Sequence, residues 1–384
     1  MNTIKKLTDI NNSGDPYIIY KSNKGFDLYT NFSKKIILNN KNVSSFLNQR
    51  YKNKSKNTDL YIGFFGYELL NNLINIKIPK QKKINFPKGI FYKPEKKIKL
   101  SNKLNYRSEN SLKNNIFKIN MNRDSYKRIF NKFKRKIKSG ETYQIKICTK
   151  YKKRSKINPL DFFNRLSKSN LAPEAFMIKD NDYSIISCSP ENLITKKGSL
   201  ITTKPIAGTV KKNKSMDKTS ALNYFRKNIK ETKEHNMIVD MERNDLSRIC
   251  EVGSVKLSRT KVVEEYKDLF HYVSLIKGKL KKNIKNIDII KAMMPGGSVI
   301  GCPKINTLNL LNKQEKENRN IYTGSFGYIK FNGNMRFNII IRSILNFKNF
   351  SEISVASGVV VDSNANHEFN ENYIKAKALI DLFK

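Results

Sequence analysis

Four glutamates in two pairs, Glu231 with Glu234 and Glu368 with Glu371, carry spacing that could do chemistry. Three residues apart on a helix, both carboxylates of a pair face the same way. Lys375 lies one turn beyond the second pair on that face. Two such helices could converge on one Mg²⁺, which takes a few carboxylates and keeps waters and substrate oxygens as its other ligands. Taken singly, each pair reads as a solvated helix face in so charged a chain. The last third adds the turns Pro295-Gly-Gly-Ser298, Gly301-Cys-Pro-Lys304 and Tyr322-Thr-Gly-Ser325. Glycine-rich turns expose backbone N–H groups, and a turn that leads into a helix adds a positive dipole end. Anion-binding turns beside a cation site point to a substrate with several carboxylates.

Other residues ask for a partner. Glu191 follows the apolar run Tyr183–Cys188. Half-burial there would raise its pKa toward general-acid work, although a turn residue capping the next strand fits as well. Gly208 and Thr209 end the stretch that begins at Thr202, and a Gly-Thr turn could offer N–H and hydroxyl groups to a carboxylate. His271 sits among apolar residues, where a histidine is usually a satisfied core residue. Arg342, between Ile339-Ile-Ile341 and Ile344-Leu345, is a charge inside an apolar strand. A bidentate substrate carboxylate or an internal ion pair would satisfy it.

The elements that must position these residues are clearest from about residue 120. Asn122 or Asp124 can cap a helix in which Tyr126, Ile129, Phe130, Phe133 and Ile137 recur at helical spacing, and Gly140 stops it. The strand Thr142–Cys148 puts Gln144, Lys146 and Cys148 on one face. Further strands are expected near 183–187, 192–196, 199–204, 322–330, 336–346 and 352–356. Helices are expected over about 217–249, 284–293, 303–317 and 366–383. Strand runs separated by long single helices, without a βαβ rhythm, predict an α+β fold with large antiparallel sheets. Residues 1–115 are more weakly patterned, and 76–108 read as surface loops. The exception is Leu60–Tyr67, whose Gly63 predicts a bulge or a close backbone approach. The expected division is an N-terminal region, 1–115, and a catalytic domain, 116–384.

Composition excludes several classes. With 384 residues, 39% of them hydrophobic, the chain can bury a large core. Its formal net charge is +43, but the lysines are spread along the whole length among Asn and Ile, and the aromatics fall at apolar positions. That is a solvated surface default, not a nucleic-acid stripe. It would still steer an anionic substrate. The four cysteines match no metal or disulfide spacing and read as reduced core residues. No signal-peptide pattern and no run long enough to span a membrane is present, so a cytoplasmic protein is expected.

Taken in order, these segments resemble the chorismate-binding enzymes, from about residue 120 to the C-terminus and at Gly63-Phe-Phe-Gly-Tyr67. The resemblance implies a sandwich of two large antiparallel sheets with helices outside. Glu234 and Glu371 would then be direct Mg²⁺ ligands, with Glu231 and Glu368 supporting through water. Glu191 would be the general acid that protonates the departing C4 hydroxyl of chorismate. Tyr322, Arg342, the backbone at Gly358, and Lys375 would bind carboxylates, and Gly208, Thr209 and His271 would line the ring site.

Water-adding members carry a lysine base where this chain has Gln144, so Tyr143-Gln144 implies amination by ammonia. The Pro295–Ser298, Tyr322–Ser325 and Phe337–Arg342 segments are similar to aminodeoxychorismate synthase component I. Ala207 stands where that branch has a nucleophilic lysine, as in anthranilate synthase component I, the alternative. Alanine cannot be a nucleophile. Amination at C4 then needs direct attack by ammonia or a substitute amine, for which Lys146 is the candidate. Ser357, in place of a glycine, is expected to narrow the carboxylate pocket. The resemblance implies a separate glutamine amidotransferase subunit, since no Gly-x-Cys-x-Gly elbow is present, and the first 115 residues are the expected docking surface.

Overall fold

The computed structural model describes every residue except 1–2, 23, 50–55, 79–85, 102–103, 105, 107–115, 170, 214–215 and 267–268. The boundary expected at residue 115 falls inside that undescribed set. The first strands are β1 (Tyr17–Ser22), β2 (Gly25–Ile37), β3 (Leu60–Phe65), β4 (Gly89–Leu100), β5 (Lys118–Ile119) and β6 (Gln144–Arg154). Then come β7 (Glu174–Lys179), β8 (Tyr183–Ser189), β9 (Asn192–Lys197), β10 (Leu200–Lys204), β11 (Ile206–Lys211) and β12 (Lys256–Glu265). The last are β13 (Leu269–Lys279), β14 (Gly301–Cys302), β15 (Ser325–Lys330), β16 (Met335–Asn338), β17 (Ser343–Phe347) and β18 (Phe350–Val359).

Their pairings form one antiparallel ladder. It runs β12–β13–β10–β9–β16–β15–β3–β4–β2–β1–β7–β8–β17–β18–β6, with β11 also on β13, and β5 and β14 on β6. The ladder folds back on itself near the long β2, so its two arms face each other. Ile62 and Phe64 of β3 and Phe326 of β15 meet Ile18 of β1, Phe176 and Ile178 of β7, and Ile185 of β8 in a shared core. The Phe176 and Phe326 rings stack across that seam at 3.7 Å. Helices cover the outer faces. Ile229–Ser247 and Asn286–Met293 lie outside the arm that contains β9 and β16. Pro159–Ser169 and Ala365–Ile380 lie outside the arm that contains β8, β17 and β18. Strands covered on both faces are buried at every residue, as β3 and β8 are, and β3 reads accordingly as a continuous apolar run.

The expected α+β sandwich is therefore the fold. Gly63 lies beside Gly327 in the β3–β15 pair, and a Cβ on it would stand 1.9 Å from the Ile90 carbonyl oxygen. The glycine marks a close approach, not a bulge.

Four local expectations are corrected. The stretch 76–108, expected as loops, contains β4, which pairs with both β2 and β3. Its buried Ile90-Phe-Tyr92 end is disguised by Lys93, Lys96, Lys97 and Lys99 further along. The helix expected over 217–249 is two, Lys218–Lys227 and Ile229–Ser247. Asn228 divides them, because its side chain caps the second by accepting from the Glu231 N–H. The 202–209 stretch does not end in a Gly-Thr turn. It continues as β11, and a register shift between Ile206 and Thr209 accommodates Gly208 at φ 97°. The strand expected over 336–346 is interrupted between β16 and β17, with Arg342 in the left-handed region at φ 49°.

Candidate active site

The interruption around Arg342, the turn after β8 and the last helix meet at a cavity of about 200 Å³. It is smaller than typical drug-sized pockets of about 300–1,000 Å³, so it suits a ligand with a single ring. Six of the expected residues line it: Glu191, Thr209, His271, Tyr322, Arg342 and Lys375. Lys146, Ser298 and Ala356 join them.

Glu191 is set by its neighbours on two sides. Its carbonyl accepts from the Ile339 N–H at 3.1 Å, and its own N–H donates to Ser189 Oγ at 3.3 Å. Ser298 Oγ donates to Glu191 Oε1 at 2.6 Å. Burial pushes the Glu191 carboxyl up to about 7, against smaller opposing effects of Ser298, Lys146 and Arg342. Ser298 was visible in sequence only as the end of a glycine-rich turn. The turn's shape depends on Gly297, where a Cβ would sit 2.1 Å from Met241 Sδ.

Thr209 and His271 are direct cross-strand partners in β11 and β13, and Thr209 Oγ1 shares a 2.8 Å hydrogen bond with His271 Nδ1. Burial, with Arg342 nearby, lowers His271 to about 4, so its ring is neutral at pH 7. Arg342 is partly buried, and no carboxylate among the described residues lies within ion-pair distance of it. An internal ion pair is thereby removed from the two readings of this residue. Lys375 Nζ donates to the Ala356 carbonyl at 3.0 Å and to Glu371 Oε1 at 2.6 Å.

The four glutamates lie beside this cavity, Glu231 and Glu368 in the first turns of two neighbouring helices and Glu234 and Glu371 one turn further on. Asn228 caps one helix and Asn364 the other, each through its side chain. Lys230 of the first reaches Glu368 of the second at 3.9 Å. Glu234 Oε1 accepts from Gln144 Nε2 at 2.8 Å and from Lys146 Nζ at 3.1 Å. The Lys146 charge holds Glu234 down at about 2 despite its burial. Burial and the charges of Glu234 and Glu371 push Glu231 up. Burial and Glu371 push Glu368 up to about 7. Glu371 itself is lowered: burial opposes this, but Lys375 outweighs it. Gly208 packs against this group, since a Cβ there would stand 3.1 Å from Glu231 Oε2. Gly358 faces Lys146 and Gln144 across the β18–β6 pair.

All-oxygen donors with more negative charge than their ammonium partners neutralise fit a hard divalent cation such as Mg²⁺. A grouping within this cluster, His367 with Glu368 and Glu371, places its ligand atoms within 4.8 Å of one another. Sequence reading missed His367, which is exposed and offers an imidazole that Mg²⁺ does not favour.

Two sequence readings change here. Ser357 does not narrow the cavity: its Oγ lies 2.6 Å from the Tyr126 hydroxyl, on the opposite face of β18. Lys146 does share a face with Gln144, but it serves Glu234 as a counter-ion. Burial works to lower its pKa, and the Glu234 charge more than reverses that.

Comparison with known proteins decides the lineage. The family described as chorismate binding enzyme matches residues 9–381. The chain belongs to that family. Among curated members, aminodeoxychorismate synthase component 1 of Bacillus subtilis (strain 168) is 36% identical over 257 residues, 67% of this chain and 55% of its own length. An anthranilate synthase component I-like protein of Synechocystis sp. is 31% identical over 347 residues, covering 83% of this chain and 72% of the relative. An anthranilate synthase component 1 of Aquifex aeolicus (strain VF5) is 33% identical over 265 residues, 69% of this chain. The chain spans about half the length of two of these three relatives, 55% of the first and 54% of the last.

Among chorismate-binding structures, anthranilate synthase component I from Streptococcus pneumoniae TIGR4 superposes with a TM-score of 0.78 at 25% identity, covering 95% of this chain and 92% of that one. The menaquinone-specific isochorismate synthase from Escherichia coli shares the fold, with a TM-score of 0.78 at 15% identity. The family match reaches well into the first 115 residues, further than the segments that carried the sequence resemblance.

Proposed function

We propose that this member of the family aminates chorismate in a Mg²⁺-dependent reaction, taking ammonia from a glutamine amidotransferase subunit. The product we infer is 4-amino-4-deoxychorismate, the precursor of para-aminobenzoate for folate synthesis, made in the cytoplasm. The observation that carries this reading is Glu191. It is a carboxyl held near neutrality on the wall of a cavity that also presents Arg342, Lys375 and Tyr322.

Each residue's contribution follows from its placement. Arg342, without an ion-pair partner among the described residues, binds a substrate carboxylate through its planar fork. Lys375 and the Tyr322 hydroxyl, which line the same cavity, bind or orient a second anionic group. His271, neutral and fixed by Thr209, supports the ring as a hydrogen-bond partner without adding charge. Glu191, protonated, donates its proton to the departing C4 hydroxyl, so that water leaves in place of hydroxide. Ser298 keeps the carboxyl aimed during that transfer. Glu231, Glu234, Glu368 and Glu371 would hold Mg²⁺, which supplies charge neutralisation for a substrate carboxylate when bound. Gln144 donates to Glu234 and has no basic nitrogen, which supports ammonia over an activated water as the nucleophile.

Ala207 favours a second reading, C2 amination with loss of pyruvate, as in an anthranilate synthase component I. It is buried between the cavity-lining Ile206 and Thr209 and offers no nucleophile. Purified protein with chorismate, Mg²⁺ and ammonium separates the two. 4-Aminobenzoate formed only when aminodeoxychorismate lyase is added supports C4 amination. Anthranilate fluorescence without the lyase supports C2 amination, and neither product refutes both.

A further inference from the structure

Lys146 stands at the junction of the carboxylate cluster and the substrate cavity. Its Nζ is 3.1 Å from Glu234 Oε1, an oxygen that already accepts from Gln144, and the same side chain lines the cavity with Arg342 and Lys375. We propose that Lys146 and the divalent cation are alternative partners of the Glu234 carboxylate, and that Lys146 becomes a binding residue for the anionic substrate when the cation takes Glu234. This rests on the reading of the glutamates as a metal site.

The geometry leaves Lys146 few choices. Two positive charges competing for one carboxylate, a few ångströms apart and partly shielded from water, repel. The stem is confined by its neighbour across the sheet: a Cβ on Gly358 would stand 2.7 Å from Lys146 Nζ and 3.3 Å from its Cδ. A modest swing away from Glu234 therefore carries the ammonium into the cavity it already lines. There a dianionic substrate would meet Lys146 beside Arg342 and Lys375, and the lost ion pair would be replaced by another. Metal and substrate would then each favour the other, and by linkage the two effects are equal. In the protein alone, Lys146 would weaken metal binding.

Calorimetric titration with Mg²⁺, and Mn²⁺ titration followed by electron paramagnetic resonance, test this on the full chain without ammonia, with and without chorismate. The wild type should bind metal about tenfold more tightly with chorismate present, within the usual range of coupling. Lys146→Met should bind metal about tenfold more tightly than wild type without chorismate, and the added effect of chorismate should shrink to what direct contact between the metal and a substrate carboxylate supplies. Lys146→Gln, which keeps a polar head, checks the result if the methionine variant melts early. Metal affinity and coupling unchanged in both variants, with metal binding lost in Glu234→Gln, would overturn the role of Lys146 and leave the metal site standing. No metal binding by wild type, or unchanged binding by Glu234→Gln, would remove the metal reading and this inference with it.

Discussion

Replacing Glu191 with glutamine should make the protein more stable at alkaline pH while removing most of its activity. The Glu191 carboxyl rises from 4.5 to about 7 on folding, chiefly through burial. The folded state therefore holds this proton more tightly than the unfolded chain does. The stability linked to it is fully present below about pH 4.5 and is lost as pH rises through about 7. At about 1.4 kcal/mol per tenfold change in proton affinity, the whole window is worth about 3 kcal/mol, and the span from pH 5.5 to 8.5 about 2 kcal/mol. Glutamine keeps the shape and can keep the contact with Ser298, but it does not ionise.

The stability difference between Glu191→Gln and wild type should therefore grow by about 2 kcal/mol from pH 5.5 to 8.5. In thermal melts of a chain this long this is roughly 2–3 °C in favour of the variant. Turnover of chorismate should fall by about 10²- to 10⁴-fold, the usual contribution of a positioned general acid. Parallel melting profiles for the two proteins across that pH range would show that Glu191 ionises normally, and the argument for it as the acid would fail.

Arg342→Lys should raise KM for chorismate at least about tenfold with little change in melting temperature, because a point charge replaces a bidentate fork at a residue that makes no internal ion pair. Tyr126→Phe should leave kcat and KM unchanged and cost about 1 kcal/mol in a denaturant titration, because it orphans the buried Ser357 hydroxyl on the face of β18 away from the cavity. Gly297→Ala should destabilise by about 1–3 kcal/mol and lower kcat, since the added methyl must displace Met241 and with it the turn that holds Ser298. Chelation should abolish turnover and excess Mg²⁺ restore it, and Glu371→Gln should need a higher Mg²⁺ concentration for half-maximal rate.

What could be read from the chain alone depended on how far each signal was local. The E-x-x-E pairs and the strand before Glu191 are local patterns, and the structure brings Glu191 onto the cavity wall with the glutamate pairs beside it. The α+β class followed from the order of strand and helix runs. The break at Asn228 in the helix expected over 217–249 is not legible because both flanking segments are good helices, and only its side-chain bond to the Glu231 N–H shows it. Arg342 reads as a strand residue because its neighbours are isoleucines, yet its backbone is left-handed at φ 49° and interrupts the strand. β4 was hidden by lysines, since a strand exposed along part of its length loses its apolar signal there. The direction of the Ser357 side chain depends on the register of β18 against β6, which no pattern within residues 350–359 encodes.

The course of the ladder also bears on how the chain is made. β1 to β4 can pair among themselves as soon as they leave the ribosome, but both flanks of that early sheet wait for distant partners. β1 is completed by Glu174–Lys179 and β3 by Ser325–Lys330. Until residue 330 has been synthesised, Leu60–Phe65 is an unpaired edge whose every residue is destined for the interior. Such an edge invites pairing with other chains. Closing the ladder across so long a loop is also slow. The nascent protein is therefore most exposed to misassembly through most of its own translation, and its yield should depend on holding chaperones and on expression temperature more than the stability of the finished fold would suggest.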